Sequence, residues 1–182
     1  MRVVFGGLIA ATAAIFGITP PAMARSDTFK SYGDVFRYAL PAAAVGLSLG
    51  KGDREGLKQF AIDGAVTMGL TVALKYAVNE RRPNGGKHSF PSGHTSAAFL
   101  GAAYIHQRYG WQLGFPASVL AAAVGVSRVD AKAHHWRDVI ASTLIAETAA
   151  YTLISAHDRG VRIAPWSDGS RRSVGLAGRI NF

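Results

Sequence analysis

Three short stretches of the 182-residue chain hold the residue types that phosphoryl chemistry needs. The first is Lys75, followed by Arg82-Pro83. The second is Pro91-Ser92-Gly93-His94. The third is Ser127-Arg128, then His134 and Asp138. Lys75, Arg82 and Arg128 come from separate places and would repel one another without an anion between them. Phosphate is the natural partner, because guanidinium binds its oxygens bidentately and ammonium acts as a point charge. A Ser92-Gly93 turn opening a helix would present backbone N–H groups and a hydroxyl to that anion, at the positive end of the helix dipole. His94, on the first turn, would lie beside the phosphate and could protonate a leaving oxygen. His134 and Asp138 are four apart and share a face if both are helical. A carboxylate on one ring nitrogen fixes the tautomer and leaves the other nitrogen to attack. The same pair could be a metal ligand with its supporting carboxylate. No further His, Asp or Glu cluster accompanies it, and the nearby cations oppose a metal, so neither metal nor cofactor is expected. Each stretch alone has a plainer explanation: Ser92 is a good helix cap, and a single cation is usually a solvated surface charge.

The elements that must position these residues read as helices. Asp34 to Gly50 is predicted as the first, with Asp34 as its cap and Gly50-Lys51-Gly52 as its end. Asp53 caps the second, Arg54 to Asn79. A loop follows from Glu80 to Phe90, with Pro83-Asn84-Gly85-Gly86 as turn chemistry. The third helix opens at Ser92-Gly93 and runs to Arg108, with Gly110 beyond it. The fourth runs from Phe115 to Val126 and the fifth from Trp136 to Ser155. The expected fold is all-α: a compact bundle of five helices, or six if the N-terminal segment is retained. In residues 159–182, apolar residues alternate with polar or small ones around Ser167-Asp168-Gly169-Ser170, which fits a β-hairpin or a loosely ordered basic tail.

Residues 1–24 have the form of an export segment. Arg2 precedes an uncharged apolar run, Pro20-Pro21 breaks it, and Ala22-Met23-Ala24 has the small-x-small form of a signal peptidase site. An uncleaved first membrane helix is the alternative. The division expected is therefore a leader over 1–24, a helical domain over 25–158 and a tail over 159–182. The chain has no cysteine, which excludes disulfides, thiol nucleophiles and cysteine metal sites. Its net charge is +9, but not in the basic aromatic runs of nucleic-acid modules, so the expected partners are anionic lipids or anionic substrates. The helices are rich in Ala and Gly, which suits close packing in water or in lipid. Their apolar runs are short and interrupted by charge, which favours a periplasmic bundle or one set shallowly in a membrane.

In order and at these spacings, Lys75-x6-Arg82-Pro83, Pro91-Ser92-Gly93-His94 and Ser127-Arg128-x5-His134-x3-Asp138 resemble the three-part signature of the type 2 phosphatidic acid phosphatase (PAP2) superfamily. That group also includes bacterial non-specific acid phosphatases and vanadium haloperoxidases. The resemblance spans residues 75–138 and implies a metal-independent phosphatase. His134 would form a phosphohistidine, with Asp138 orienting it. His94 would protonate the leaving group, and Lys75, Arg82, Ser92, Gly93 and Arg128 would hold the phosphoryl oxygens. The loop between Pro83 and Pro91 holds seven residues, shorter than expected for the family, which leaves substrate size open.

Four functions compete on these grounds. A lipid phosphatase or pyrophosphatase leads, with phosphatidic acid, phosphatidylglycerol phosphate, undecaprenyl pyrophosphate or lipid A as candidate substrates. A soluble periplasmic acid phosphatase acting on small phosphate esters is next. A haloperoxidase is disfavoured by the short chain, and a non-catalytic envelope protein by the complete signature. The first two place the chain in the bacterial cell envelope, with the site on the periplasmic side.

Overall fold

The computed structural model describes residues 27–157 and, as backbone, the strands 161–167 and 174–180. Five helices make up its all-α core: α1 (Asp27–Gly50), α2 (Arg54–Val78), α3 (Gly93–Tyr109), α4 (Trp111–Asp130) and α5 (Trp136–Leu153). Two strands, β1 (Val161–Ser167) and β2 (Val174–Ile180), pair antiparallel, with Val161 opposite Ile180. The expected export segment, residues 1–24, lies outside the described residues, as do 158–160 and 168–173.

Two helix starts differ from the sequence expectation. The first helix begins at Asp27, so Asp34 is inside it and caps nothing. Its carboxylate is committed to other helices instead. The fourth begins at Trp111, directly after Gly110. Gly110 has φ 88° and both closes α3 and opens α4, so the expected connection shrinks to one residue that only glycine accommodates readily. Other caps match expectation. Asp53 accepts from the Gly56 amide at 2.8 Å, and Ser92 Oγ accepts from the Thr95 amide at 3.4 Å. Asn79 ends α2 in the left-handed region, at φ 45°.

α3 is the central helix and packs against the other four. Its interior is largely small: Ala98, Ala102 and Ala103 are fully buried beside Tyr104 and Ile105. Each alanine buries little area, so cohesion depends on backbones approaching closely enough for dense dispersion contact. Gly101 shows how close this is. A Cβ there would lie 2.4 Å from the Leu40 carbonyl carbon of α1.

One end of the bundle is tied by a buried ion pair. Arg108 donates to both carboxylate oxygens of Asp53, at 2.7 and 2.5 Å. It also donates to the Ser155 carbonyl at 2.6 Å, and Tyr109 donates to Asp53 at 3.0 Å. The start of α2, the end of α3 and the segment after α5 are thereby joined. The hydrogen bonds from Arg108, despite burial, hold Asp53 far below the usual carboxylate range. At the other end, the C-termini of α2 and α4 meet the N-termini of α3 and α5, and the three stretches of interest converge there.

Candidate active site

His134 lies in the turn before α5, not on the helix, so the helical-face argument for its pairing with Asp138 is corrected. Asp138 is in the first turn of α5 and reaches back. Its Oδ2 lies 3.4 Å from His134 Nδ1, within ion-pair reach, but the ring nitrogen is not aligned for a hydrogen bond. That oxygen instead accepts from Ser89 Oγ at 2.5 Å and from the His135 amide at 2.9 Å. The carboxylate is therefore fixed by the loop on one side and by its own helix start on the other. Burial would raise the Asp138 pKa, but these hydrogen bonds and His134 hold it below the ordinary carboxylate range. It remains an anion beside His134.

His134 is buried, with 3% of its side chain exposed. Burial, then the charges of Arg82 and Lys75, push its pKa down to about 4 against the pull of Asp138. A neutral imidazole is what nucleophilic attack needs. Lys75, in the last turn of α2, donates to the carbonyls of His88 at 3.0 Å and Pro91 at 2.7 Å. Two of its three donors thus hold the loop, and one is left for an anion. Arg82 follows in that loop, where its Nε donates to the Lys87 carbonyl at 3.1 Å. The loop is tied down rather than slack. Arg82 N donates to Gly86 O at 2.7 Å, Ser89 N to Glu80 O at 2.8 Å and Asn84 N to Lys132 O at 3.0 Å.

Ser92 is fully buried at the start of α3. Its hydroxyl accepts from Thr95 Oγ1 at 2.9 Å, which leaves its own proton to donate. Gly93 faces open space, since a Cβ there would meet nothing within 4 Å. The amides of Gly93 and His94, at the first two helical positions, have no intrahelical acceptor. Together they form an N-terminal cradle suited to an anion.

Arg128, in the last turn of α4, is 3% exposed and uses three of its five N–H donors. Nε donates to Ser127 Oγ at 3.1 Å, Nη1 to Asp34 Oδ1 at 2.8 Å and Nη2 to the Lys30 carbonyl. One N–H on each Nη remains. His94 Nε2 lies 2.9 Å from the same Asp34 oxygen. Burial, then the charges of Arg37 and Arg128, push His94 down to about 4, while Asp34 opposes them. Asp34 itself is held below the ordinary range: burial raises it, but His94 and Arg128 outweigh that.

All eight residues singled out by spacing stand at this end of the bundle. They separate into a His134 side, with Asp138, Lys75 and Arg82, and a His94 side, with Arg128, Ser92 and Gly93. The family model described as the PAP2 superfamily matches residues 60–162. The chain belongs to the PAP2 superfamily. It is a phosphatase of the PAP2 type. It is 34% identical over 137 residues to a lipid A 4'-phosphatase of Helicobacter pylori, covering 69% of each chain. It is 40% identical over 79 residues to lipid phosphate phosphatase 2 of Arabidopsis thaliana, a match that spans 36% of this chain and only 27% of the plant protein. The crystal structure of Aquifex aeolicus LpxE superposes with a TM-score of 0.60 at 22% identity, covering 71% of this chain and 87% of the other, which bears on the fold.

Two residues of this PAP2 chain were not assigned to the site by sequence reasoning. Ser89 fixes Asp138. Asp34 bridges His94 and Arg128 from a different helix. Ser89 stands beside Pro91-Ser92 without any spacing that marks it. Asp34 carried a signal, but a helix cap explained it equally well.

Proposed function

We propose that this protein is a membrane-bound lipid phosphatase that removes a phosphate from a lipid A-type substrate of the cell envelope through a phosphohistidine. The observation that carries this reading is an anion cradle opening beside apolar helices. α2 and α4 are long and apolar enough to cross a membrane. They expose Ile62, Leu70, Val72, Phe115 and Val119. Aromatic residues stand exposed at both ends of the bundle: Tyr76 and Trp136 near the site, Trp111 and Tyr151 at the other end. Such side chains favour the two interfaces of a bilayer. These faces shift the balance from the shallow placement expected of interrupted apolar runs to crossing by α2 and α4. They also disfavour a soluble acid phosphatase. In this reading the site faces the periplasm and the loop at Lys51 faces the cytoplasm.

In this mechanism, the phosphoryl group sits among Lys75, Arg82, Arg128, the Ser92 hydroxyl and the Gly93 and His94 amides. His134 presents Nδ1 to Asp138, which leaves Nε2 to attack phosphorus. A P–N bond forms and the P–O bond to the lipid breaks. His94 keeps Nε2 toward Asp34, so the proton for the departing oxygen comes from Nδ1. The lipid alcohol leaves. Water then attacks phosphorus, giving its proton to His94, and inorganic phosphate departs as His134 is regenerated. The cations and amides stabilise the charge spread over the equatorial oxygens. Burial and the neighbouring cations disfavour the protonated form of His94. A bound dianion offsets the neighbouring cations and returns the proton that the acid step needs.

The test is phosphate release by the full chain in detergent, comparing a lipid A-type substrate with a small aromatic phosphate. Rapid quench into alkaline denaturant, which preserves the acid-labile P–N bond, should trap label from a phosphate-labelled substrate on a histidine, and that label should be lost in His134→Ala. Turnover with no such adduct, or activity retained in His134→Ala, would overturn the mechanism. A preference for the small ester without detergent would overturn the lipid assignment.

A further inference from the structure

The face of α1 that meets the site carries a guanidinium that the chemistry above leaves unused. Lys30, Gly33, Asp34 and Arg37 are spaced three and four apart and form one stripe of the helix. The first three are pinned to the site. The Lys30 carbonyl accepts from Arg128, and Asp34 bonds both His94 and Arg128. Gly33 lies so close to α4 that a Cβ there would stand 2.2 Å from Ser127 Oγ. Arg37 continues the same stripe. Its guanidinium lies 4.3 Å from the centre of the Tyr38 ring, and Nη2 donates to the Tyr38 hydroxyl. Its Nε is buried and has no acceptor. A buried donor without a partner is costly, and so is a second guanidinium added to Arg128 beside one histidine.

The two histidines feel different cations. Those weighing most on His134 are Arg82 and Lys75, and those weighing most on His94 are Arg37 and Arg128. Arg37 stands one helical turn from Asp34, the partner of His94, on the same face of α1, which puts it on the side where the leaving group departs.

We propose that Arg37 forms a leaving-group subsite for a second phosphate group of the substrate. This rests on the reading of His94 as the acid. A phosphate there would accept from the Nη donors that Tyr38 leaves open, offset the guanidinium charge beside His94 and draw on the match between arginine and phosphate. The second phosphate has two sources: the adjoining phosphate of a diphosphate, or a distal phosphate elsewhere on a bis-phosphorylated lipid.

Two substrate pairs separate these sources. One compares farnesyl diphosphate with farnesyl monophosphate, and the other bis-phosphorylated with mono-phosphorylated lipid A. For each pair, kcat/KM is measured in wild type, Arg37→Gln and Arg37→Lys. The expected result is that Arg37→Gln loses about tenfold more on the doubly phosphorylated member of at least one pair. Arg37→Lys, which keeps the charge but not the fork, should fall between. A selective loss in the farnesyl pair assigns the adjoining phosphate, and one in the lipid A pair the distal phosphate. Both members of a pair are assayed on one preparation, so the ratio does not depend on the fraction folded. Equal losses on both members, total loss included, or unchanged ratios in both pairs would overturn the subsite. A wild-type chain that releases phosphate from none of the four would overturn the phosphatase reading itself, so the two failures are distinct.

Discussion

The Asp34 carboxylate on α1 lies 2.9 Å from His94 Nε2 on α3, and the same oxygen accepts from Arg128 on α4 at 2.8 Å. One atom thus sets the orientation of the proposed acid and of a phosphate-binding guanidinium, although Asp34 lies 41 residues before the first stretch of the signature. Its side chain is 46% exposed, so its worth lies in geometry more than in buried charge.

Asp34→Asn should retain the fold and lose catalysis. The amide oxygen can still accept from both partners, but it brings no charge to raise the His94 pKa. We expect kcat/KM to fall roughly ten- to a hundredfold, within what general acid catalysis contributes. The rate needs His94 protonated and declines as pH rises past its pKa in the complex. Removing Asp34 lowers that pKa, so the alkaline limb of the pH–rate profile should move to lower pH. A uniform loss with the limb unmoved would show that Asp34 is only a packing residue.

Ser89→Ala should reduce kcat with little effect on KM. Ser89 touches no phosphate in this arrangement; it holds Asp138 at 2.5 Å. A hydrogen bond to a charged group contributes about 1.5–3 kcal/mol, and about 1.4 kcal/mol at the transition state is tenfold in rate. Ser89→Thr keeps the hydroxyl and should restore much of the loss. A change in KM alone would instead place Ser89 in substrate binding.

Oxyanion binding should take up protons. His94 is pushed down to about 4 by burial and by cations that a bound dianion would neutralise. Binding raises its pKa, so between the free and bound values affinity should weaken as pH rises, by up to about one decade per pH unit. Calorimetry of vanadate binding in buffers of different ionisation heat reads this directly. No buffer dependence near pH 6 would mean that His94 does not change protonation on binding.

Much of this site was legible because its parts are local. Lys75 and Arg82, Ser92 to His94, and Arg128 to Asp138 each lie within a few residues of a helix end, and helix ends announce themselves through caps and glycines. Contacts that cross the bundle were not legible. Asp34 looked like a cap because caps and carboxylate anchors use the same residue type, and only the longer α1 shows that no helix starts there. The one-residue turn at Gly110 was hidden because Pro116 and the glycines around it resemble a loop. The His134–Asp138 pair was foreseen with the wrong geometry: spacing four suits a helix face, but here a turn residue meets the first turn of the helix that follows.

The end of the bundle away from the site should limit stability rather than chemistry. Arg108 and Asp53 form a two-pronged pair with 6% and 3% of their side chains exposed, and Tyr109 and Ser155 satisfy further atoms of the same cluster. Replacing one member leaves a buried charge without its partner, which typically costs about 3–5 kcal/mol. Arg108→Ala should therefore lower Tm by several degrees in detergent. The kcat of the remaining folded enzyme should change little, because the site is at the opposite end. The pH dependence has a definite sign. The Asp53 pKa is depressed on folding, so its contribution is present above the ordinary carboxylate value near 4 and lost as pH falls through the lower folded value. Wild type should thus lose more stability than Arg108→Ala on acidification below about pH 4. Parallel loss in the two proteins would mean that the pair does not couple folding to protonation, and a large fall in kcat would mean that the clamp reaches the site through α3.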